Sequence, residues 1–312
     1  AWAATRCLAA QQEDDGDPQA SLETIEALLG RLHGHDLAGI HLLELHLHRL
    51  QVLMSLGRYS QVVDACSRAQ VLLERVLPSW GEFFRTTLHM EGAYCAVYLD
   101  PRPETAGRLL ESLEPVDLPG TMRFIARSVR GELELTRGNV RTAALIQRVS
   151  LRYAGNWRSI LGSGSQWELY ILSMCLVTDV ELSPDDAVEL DAGAIRARAA
   201  FLLHDILSDP APLQRDIPTI MAFAAAVGLS VVAAEDAGSD RRSVGAELIT
   251  TALAVGTNQT CRLLSHSYLR TRTEQLDARA LVQAGERIRS LDRAQLVAHA
   301  AGLARRLAGE TG

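Results

Sequence analysis

Four turn signatures recur along the first half of the chain at nearly constant spacing, and they restrict the fold more than any other feature. They are Gly16-Asp17-Pro18, Gly57-Arg58-Tyr59, Asp100-Pro101-Arg102-Pro103 and Gly138-Asn139-Val140, with first residues 41, 43 and 38 positions apart. In a helix–turn–helix repeat the turn residue must permit a tight reversal, which glycine does at little steric cost. Small side chains then follow where the two helices approach closely, and larger apolar ones fill the gap to the next repeat. The offsets fit: Ser21, Ile25 and Leu28 follow the first turn, Val62, Cys66 and Ala69 the second, Ala106, Leu110 and Leu113 the third, and Ala143, Gln147 and Ser150 the fourth. Leu56-Gly57-Arg58-Tyr59 is the fullest single match.

The spacing exceeds the roughly 34 residues of a standard tetratricopeptide (TPR) repeat, so the helices are expected to be longer than usual. The predicted fold is all-α, a TPR-like solenoid of antiparallel helix hairpins wound as a right-handed superhelix. Four hairpins are expected over residues 1–154, and further TPR-like repeats with C-terminal capping helices over 155–312, with a sub-boundary at 208–212. Composition agrees. Aromatic residues are only 5% and hydrophobic residues 47% of the 312. Alanine and leucine dominate; both form helices well, whereas strands favour β-branched and aromatic residues.

Local signals place the helix ends. Asp17-Pro18 sets a capping side chain before a proline at the first helical position. Ser79-Trp80-Gly81-Glu82 is a capping box, and Ser183-Pro184-Asp185-Asp186 opens a helix with acids suited to its dipole. Over about 36–56, Ile40, Leu43, Leu47, Leu50 and Met54 form one apolar stripe, and Leu42, Leu45, Val52 and Leu53 another. A helix apolar on two sides is buried on two sides. Residues 155–165 read as a loop. Helices are then expected at about 166–178, 184–207, 213–236, 241–255, 259–271, 274–289 and 292–308. The uncharged stretch 217–234 reads as a buried helix whose small side chains need close neighbours, not as a membrane span.

Charge and residue usage exclude several function classes. The net charge of −7 lacks the basic face that polyanion binding requires, so no direct nucleic-acid contact is expected. All 31 basic residues are arginine, as the codon bias of a high-GC bacterial genome would produce. Without lysine, neither a Walker-type phosphate site nor a Schiff base can form. Gly162-Ser163-Gly164-Ser165 lacks the Lys-Ser/Thr end of a phosphate loop, and no GxSxG elbow is present. Five dispersed cysteines, Cys7, Cys66, Cys95, Cys175 and Cys261, read as small buried hydrophobes in a reducing cytoplasm. No signal peptide is apparent, because Glu13, Asp14, Asp15 and Asp17 interrupt the first apolar stretch. The chain is therefore expected to be a cytoplasmic, non-catalytic binding protein with no cofactor, no metal and no membrane association.

Counting back from each turn places the concave surface. Glu44, His48 and Gln51 fall on it in the second repeat, Tyr94 and Tyr98 in the third, and Ser128 and Glu132 in the fourth. Trp167 and Tyr170 extend the row. Aromatics with polar partners in a groove suit a peptide or small-molecule effector. The same tyrosines also fit packing against a neighbouring hairpin. His41, Glu44 and His48 share one helix face, so a helical metal-binding protein or enzyme is an alternative. A free-standing TPR adaptor or peptide binder is another.

The repeats and the C-terminal stretches Ala233-Ala234-Glu235-Asp236-Ala237-Gly238 and Val244-Gly245-Ala246-Glu247-Leu248, followed by the 292–307 helix, carry a further likeness. The chain resembles the TPR sensor regions of bacterial signal-transduction ATPases, including the antibiotic-regulatory-protein (SARP) family and the large ATP-binding LuxR-type regulators. That resemblance implies a region that senses an effector, protein or peptide and holds an ATPase off. The partner it implies is the ATPase or DNA-binding module of the same regulator.

Overall fold

Gly57 is the C′ residue of a Schellman turn. Its N–H donates to the Met54 carbonyl at 2.8 Å, and the Arg58 N–H reaches the Leu53 carbonyl at 2.9 Å. The Gly16 turn repeats the pattern, with Gly16 donating to Glu13 and Asp17 to Gln12, both at 2.8 Å. These bonds satisfy carbonyls left over at the helix end and require a left-handed residue at C′. Gly16 and Gly57 supply it with φ of 77° and 69°, and Gly138 adopts φ 82°. At Asp17 the next helix starts at once, because its carboxylate accepts the Ala20 N–H at 2.9 Å. Turn and cap together reverse the chain within three residues.

The computed structural model describes residues 2–32, 39–73, 104–111, 120–161, 166–208, 217–234 and 237–309. Among them every regular element is helical, and no strand occurs. The chain divides into two compact units, Ala1–Gly138 and Asn139–Gly312.

Unit 1 contains α1 (Trp2–Asp14), α2 (Pro18–Leu32), α3 (Gly39–Ser55), α4 (Tyr59–Leu73), α5 (Glu104–Glu111) and α6 (Gly120–Thr136). Helices α1 to α4 pack in chain order, each against the next. Helix α3, between α2 and α4, buries Leu43, Leu50 and Met54 from one expected stripe and Leu45, Val52 and Leu53 from the other. Every described residue at a repeat position is buried: Ser21, Ile25, Leu28, Val62, Cys66, Ala69, Ala106, Leu110, Ala143, Gln147 and Ser150. Leu113 and the third turn, 100–103, lie outside the described residues.

Unit 2 contains α7 (Val140–Leu161), α8 (Gln166–Asp179), α9 (Pro184–Glu189), α10 (Ala192–Ser208), α11 (Ile217–Val232), α12 (Ser239–Val255), α13 (His266–Ile288) and α14 (Arg293–Gly309), with a 3₁₀ turn at Arg262–Leu264. Its centre is α11, buried at every residue from Ile220 to Val232 and packed by α8, α10, α12 and α13. The chain returns at its end, because α14 packs against α10 and α12 to bury Leu296, Ala300, Leu303, Ala304 and Leu307. Among the described residues no helix is long and apolar enough to cross a membrane.

Three boundaries differ from the sequence reading. The expected loop at 155–165 is helical as far as Leu161. Gly155 costs a helix only about 1 kcal/mol, and no proline is present to break it. The expected helix 184–207 is two helices, because Asp191 adopts φ 53° between α9 and α10. The break expected between helices at 259–271 and 274–289 is present but falls at Asp277 (φ −159°, ψ 78°), inside α13. The Asp277 carboxylate accepts the Ala280 N–H at 2.9 Å, which caps the second half internally.

The cysteines are mixed. Cys66, Cys175 and Cys261 are buried as expected, whereas Cys7 is exposed on α1. Burial pushes the Cys175 thiol well above its ordinary range, which leaves it protonated and inert.

Candidate functional site

Of the residues expected to line a concave groove, Glu44 and His48 have specific partners within unit 1. Glu44 Oε2 is 3.1 Å from Arg6 Nη1 on α1 and 3.5 Å from His41 Nδ1. His48 Nε2 pairs with Glu13 Oε1 on α1, and Glu13 also accepts the Ser21 hydroxyl at 3.0 Å. This face of α3 therefore ties the first helix of the second hairpin to that of the first. Gln51 is exposed. Ser128 and Glu132 are buried in α6. Trp167 and Tyr170 lie on α8 in unit 2, and Tyr170 is half-buried. Tyr94 and Tyr98 fall outside the described residues. His48 turns to Glu13 while Glu44 engages Arg6, and among the described residues no three His, Cys, Asp or Glu side chains are grouped as a metal ion requires.

A different site emerges in unit 2. A cleft of 540 Å³ opens between the ends of α8 and α11, the short α9 and the start of α10. That volume is within the roughly 300–1,000 Å³ typical of small-molecule sites. Leu176, Val180, Leu182, Val188, Ala233 and Ala234 supply apolar wall, while Asp179, Asp191 and Arg196 supply charge.

The segment that shapes the cleft has an unusual composition. Residues 179–191 (DVELSPDDAVELD) hold six acids and no base. Arginines from other helices pin four of those acids. Arg148 on α7 grips Asp179 with both terminal nitrogens, Nη1 to Oδ1 at 2.7 Å and Nη2 to Oδ2 at 3.1 Å, and donates Nε to the Leu190 carbonyl at 2.9 Å. Arg141 on α7 bridges Asp186 and Glu189, with bonds of 2.9 and 2.6 Å to the latter. On α13, Tyr268 donates its hydroxyl to Glu181 at 2.9 Å, and Arg272 Nη2 reaches the same carboxylate at 3.2 Å.

The electrostatics differ between the two ends of this segment. Burial raises the Asp179 carboxyl above the usual range, and the Arg148 bonds and charge only partly offset it. Asp186 is held below the usual range, first by the Ser183 hydroxyl and then by Arg141; Glu189 is lowered by Arg141. Ser183 also caps α9, accepting the Asp186 N–H at 3.2 Å. Asp185 and Asp191 are exposed. Arg196 Nη1 donates to the Ser230 carbonyl at 3.3 Å.

Among the described lining residues there is no histidine, cysteine or tyrosine, and the Ser230 hydroxyl donates to the Val227 carbonyl at 2.8 Å. No side chain there pairs a nucleophile with a base. The sequence reading treated Ser183-Pro184-Asp185-Asp186 only as a helix start. The available signal was the run of six acids without a compensating base, although its partners are 31 to 91 residues away in sequence.

No family model matches the chain, and neither a curated protein nor a solved structure matches it.

Proposed function

We propose that this chain is a non-catalytic, TPR-like binding module that acts as the sensor region of a bacterial cytoplasmic transcriptional regulator. In this reading its hairpins continue as a right-handed solenoid and take up a small effector or a peptide. Binding there releases the ATPase or DNA-binding module of the same regulator. The supporting observation is the coincidence of turn and burial in the first repeats. Gly16 and Gly57 each close a Schellman turn, and the small and apolar residues at the repeat offsets behind them are buried. That combination is what stacked helix hairpins require. The cleft at α8–α11 gives a sensor somewhere to hold an effector.

The test begins with the open reading frame that encodes the segment. An ATPase phosphate loop or a DNA-binding helix-turn-helix in the same frame is the expected result. A frame that encodes neither would defeat the regulator reading and leave a free-standing adaptor.

A further inference from the structure

The polar groups that line the cleft in unit 2 are engaged within the protein or with water. Arg148 holds both oxygens of Asp179, at 2.7 and 3.1 Å. Arg196 donates to the Ser230 carbonyl at 3.3 Å, and its charge joins that of Arg148 in favouring the ionised Asp179. The Ser230 hydroxyl donates to the Val227 carbonyl at 2.8 Å. Asp191 is exposed, so water solvates its carboxylate. Asp179 and Asp191 are matched in number by Arg148 and Arg196, and these four groups carry no net charge.

The rest of the wall is apolar and open to water. Val180, Leu182, Ala187 and Ala233 line the cleft half-buried. Val188 on α9 is 83% exposed, more than any other large hydrophobic side chain among the described residues. An occupant that covered these side chains would remove their apolar surface from water. A charged occupant would give up hydration without gaining a matched partner, since a cation could meet only the solvated Asp191, whose attraction water and salt screen. Helix α9 buries none of its residues, so an occupant can press against Val188 without disturbing a packed core.

We infer that the cleft is a binding site for a small uncharged apolar molecule, seated against Val180, Leu182 and Val188 with α9 as its outer wall. The balanced charges of the wall select against ions, and the exposed apolar side chains supply the attraction. The inference rests on the binding-module reading above and names the ligand class of that module's cleft.

Isothermal titration of the full chain with three probes of one body and different charge separates the possibilities. They are naphthylethanol, naphthylethylamine and naphthylacetate, which are neutral, cationic and anionic. The alcohol is expected to bind about tenfold or more tighter than the amine or the acid. Its binding should slow amide exchange across residues 186–190, read by hydrogen-exchange mass spectrometry, which places it against α9. Val188→Asp should weaken the alcohol by about tenfold, because it sets a charge in the apolar wall, and Val188→Leu should retain most of the affinity. Position 188 is exposed, so neither variant should shift the melting temperature appreciably. The exchange measurement on the unmodified chain locates the site even if a variant does not fold. An amine that binds tightest would reassign the cleft to a cation on Asp191, and an acid that binds tightest would reassign it to an anion; either overturns the proposal. So would equal affinity for the three probes, no binding of the alcohol at millimolar concentration, or exchange at 186–190 unchanged when it binds. Such a result removes the ligand and leaves the regulator reading to the reading-frame test.

Discussion

Gly228 on α11 and Gly245 on α12 meet backbone to backbone. A Cβ on Gly228 would lie 2.6 Å from the Gly245 carbonyl oxygen, and a Cβ on Gly245 would lie 2.7 Å from that of Gly228. The central helix of unit 2 therefore packs against α12 at a separation that only glycine allows. Gly228→Ala and Gly245→Ala should each destabilise the protein by about 1–3 kcal/mol or more, as overpacking does. Because both disturb one contact, their effects should not add in the double variant. Gly302→Ala on α14, where a Cβ meets nothing within 4 Å, should be neutral or stabilising by up to about 1 kcal/mol. Urea denaturation of the four variants measures this, and equal midpoints for Gly228→Ala and Gly302→Ala would count against the close approach.

Gly57 and Gly30 give an independent pair in unit 1. Gly57 needs φ 69° to close its turn, whereas a Cβ on Gly30 meets nothing within 4 Å. Gly57→Ala should cost about 1 kcal/mol or more, and Gly30→Ala should stabilise α2 by several tenths to about 1 kcal/mol. Thermal unfolding followed by circular dichroism reads both signs, and a melting temperature unchanged in Gly57→Ala would contradict the turn.

Two half-buried histidines predict a pH dependence. Burial lowers the pKa of His46, aided by Arg49 and Arg68, and burial lowers that of His266, aided by Arg270. For a base with a lowered folded-state pKa, the unfolded chain binds the proton first. Stability is therefore full above the ordinary value of 6.5 and is lost as pH falls from there toward the lowered value. The difference in stability between the unmodified protein and His46→Gln should shrink as pH is lowered from 7.5 to 5.5, and likewise for His266→Gln. Denaturation midpoints at several pH values check the sign; a difference that widens on acidification would refute it.

The attachment of α9 should be electrostatic and local. It buries no side chain, and Arg141 links it to α7 through exposed pairs with Asp186 and Glu189. Such pairs contribute little to global stability and are weakened by salt. Arg141→Ala should leave the melting temperature nearly unchanged while speeding amide exchange across residues 186–190. High salt should reproduce that effect in the unmodified protein. Hydrogen-exchange mass spectrometry distinguishes this from a uniform loss of protection, which would show that Arg141 holds more than α9.

What could be read from the sequence was local chemistry. Gly57 announces its turn because no other residue closes it cheaply, and Asp17-Pro18 announces the next helix. The small side chains of α11 signalled a close neighbour, and Gly245 on α12 is that neighbour. Asp191 gave no warning of its left-handed backbone, and the Arg148 contact to the neighbouring Leu190 carbonyl comes from 42 residues away. The cleft was invisible for the same reason: its Arg148–Asp179 pair spans 31 residues, and its walls come from four helices. The return of α14 to α10 likewise depends on tertiary packing that periodicity cannot encode. Glu44 and His48 were placed on the right helix, but only the fold reveals that α1 supplies their partners.

The central claim is that this segment senses a signal and restrains an attached module. The most direct measurement expresses the complete reading frame with and without residues 1–312 and follows transcription from its target promoter. Raised transcription without effector in the deleted form is the predicted result. Output that falls to zero, or is unchanged with and without the segment, would contradict the account.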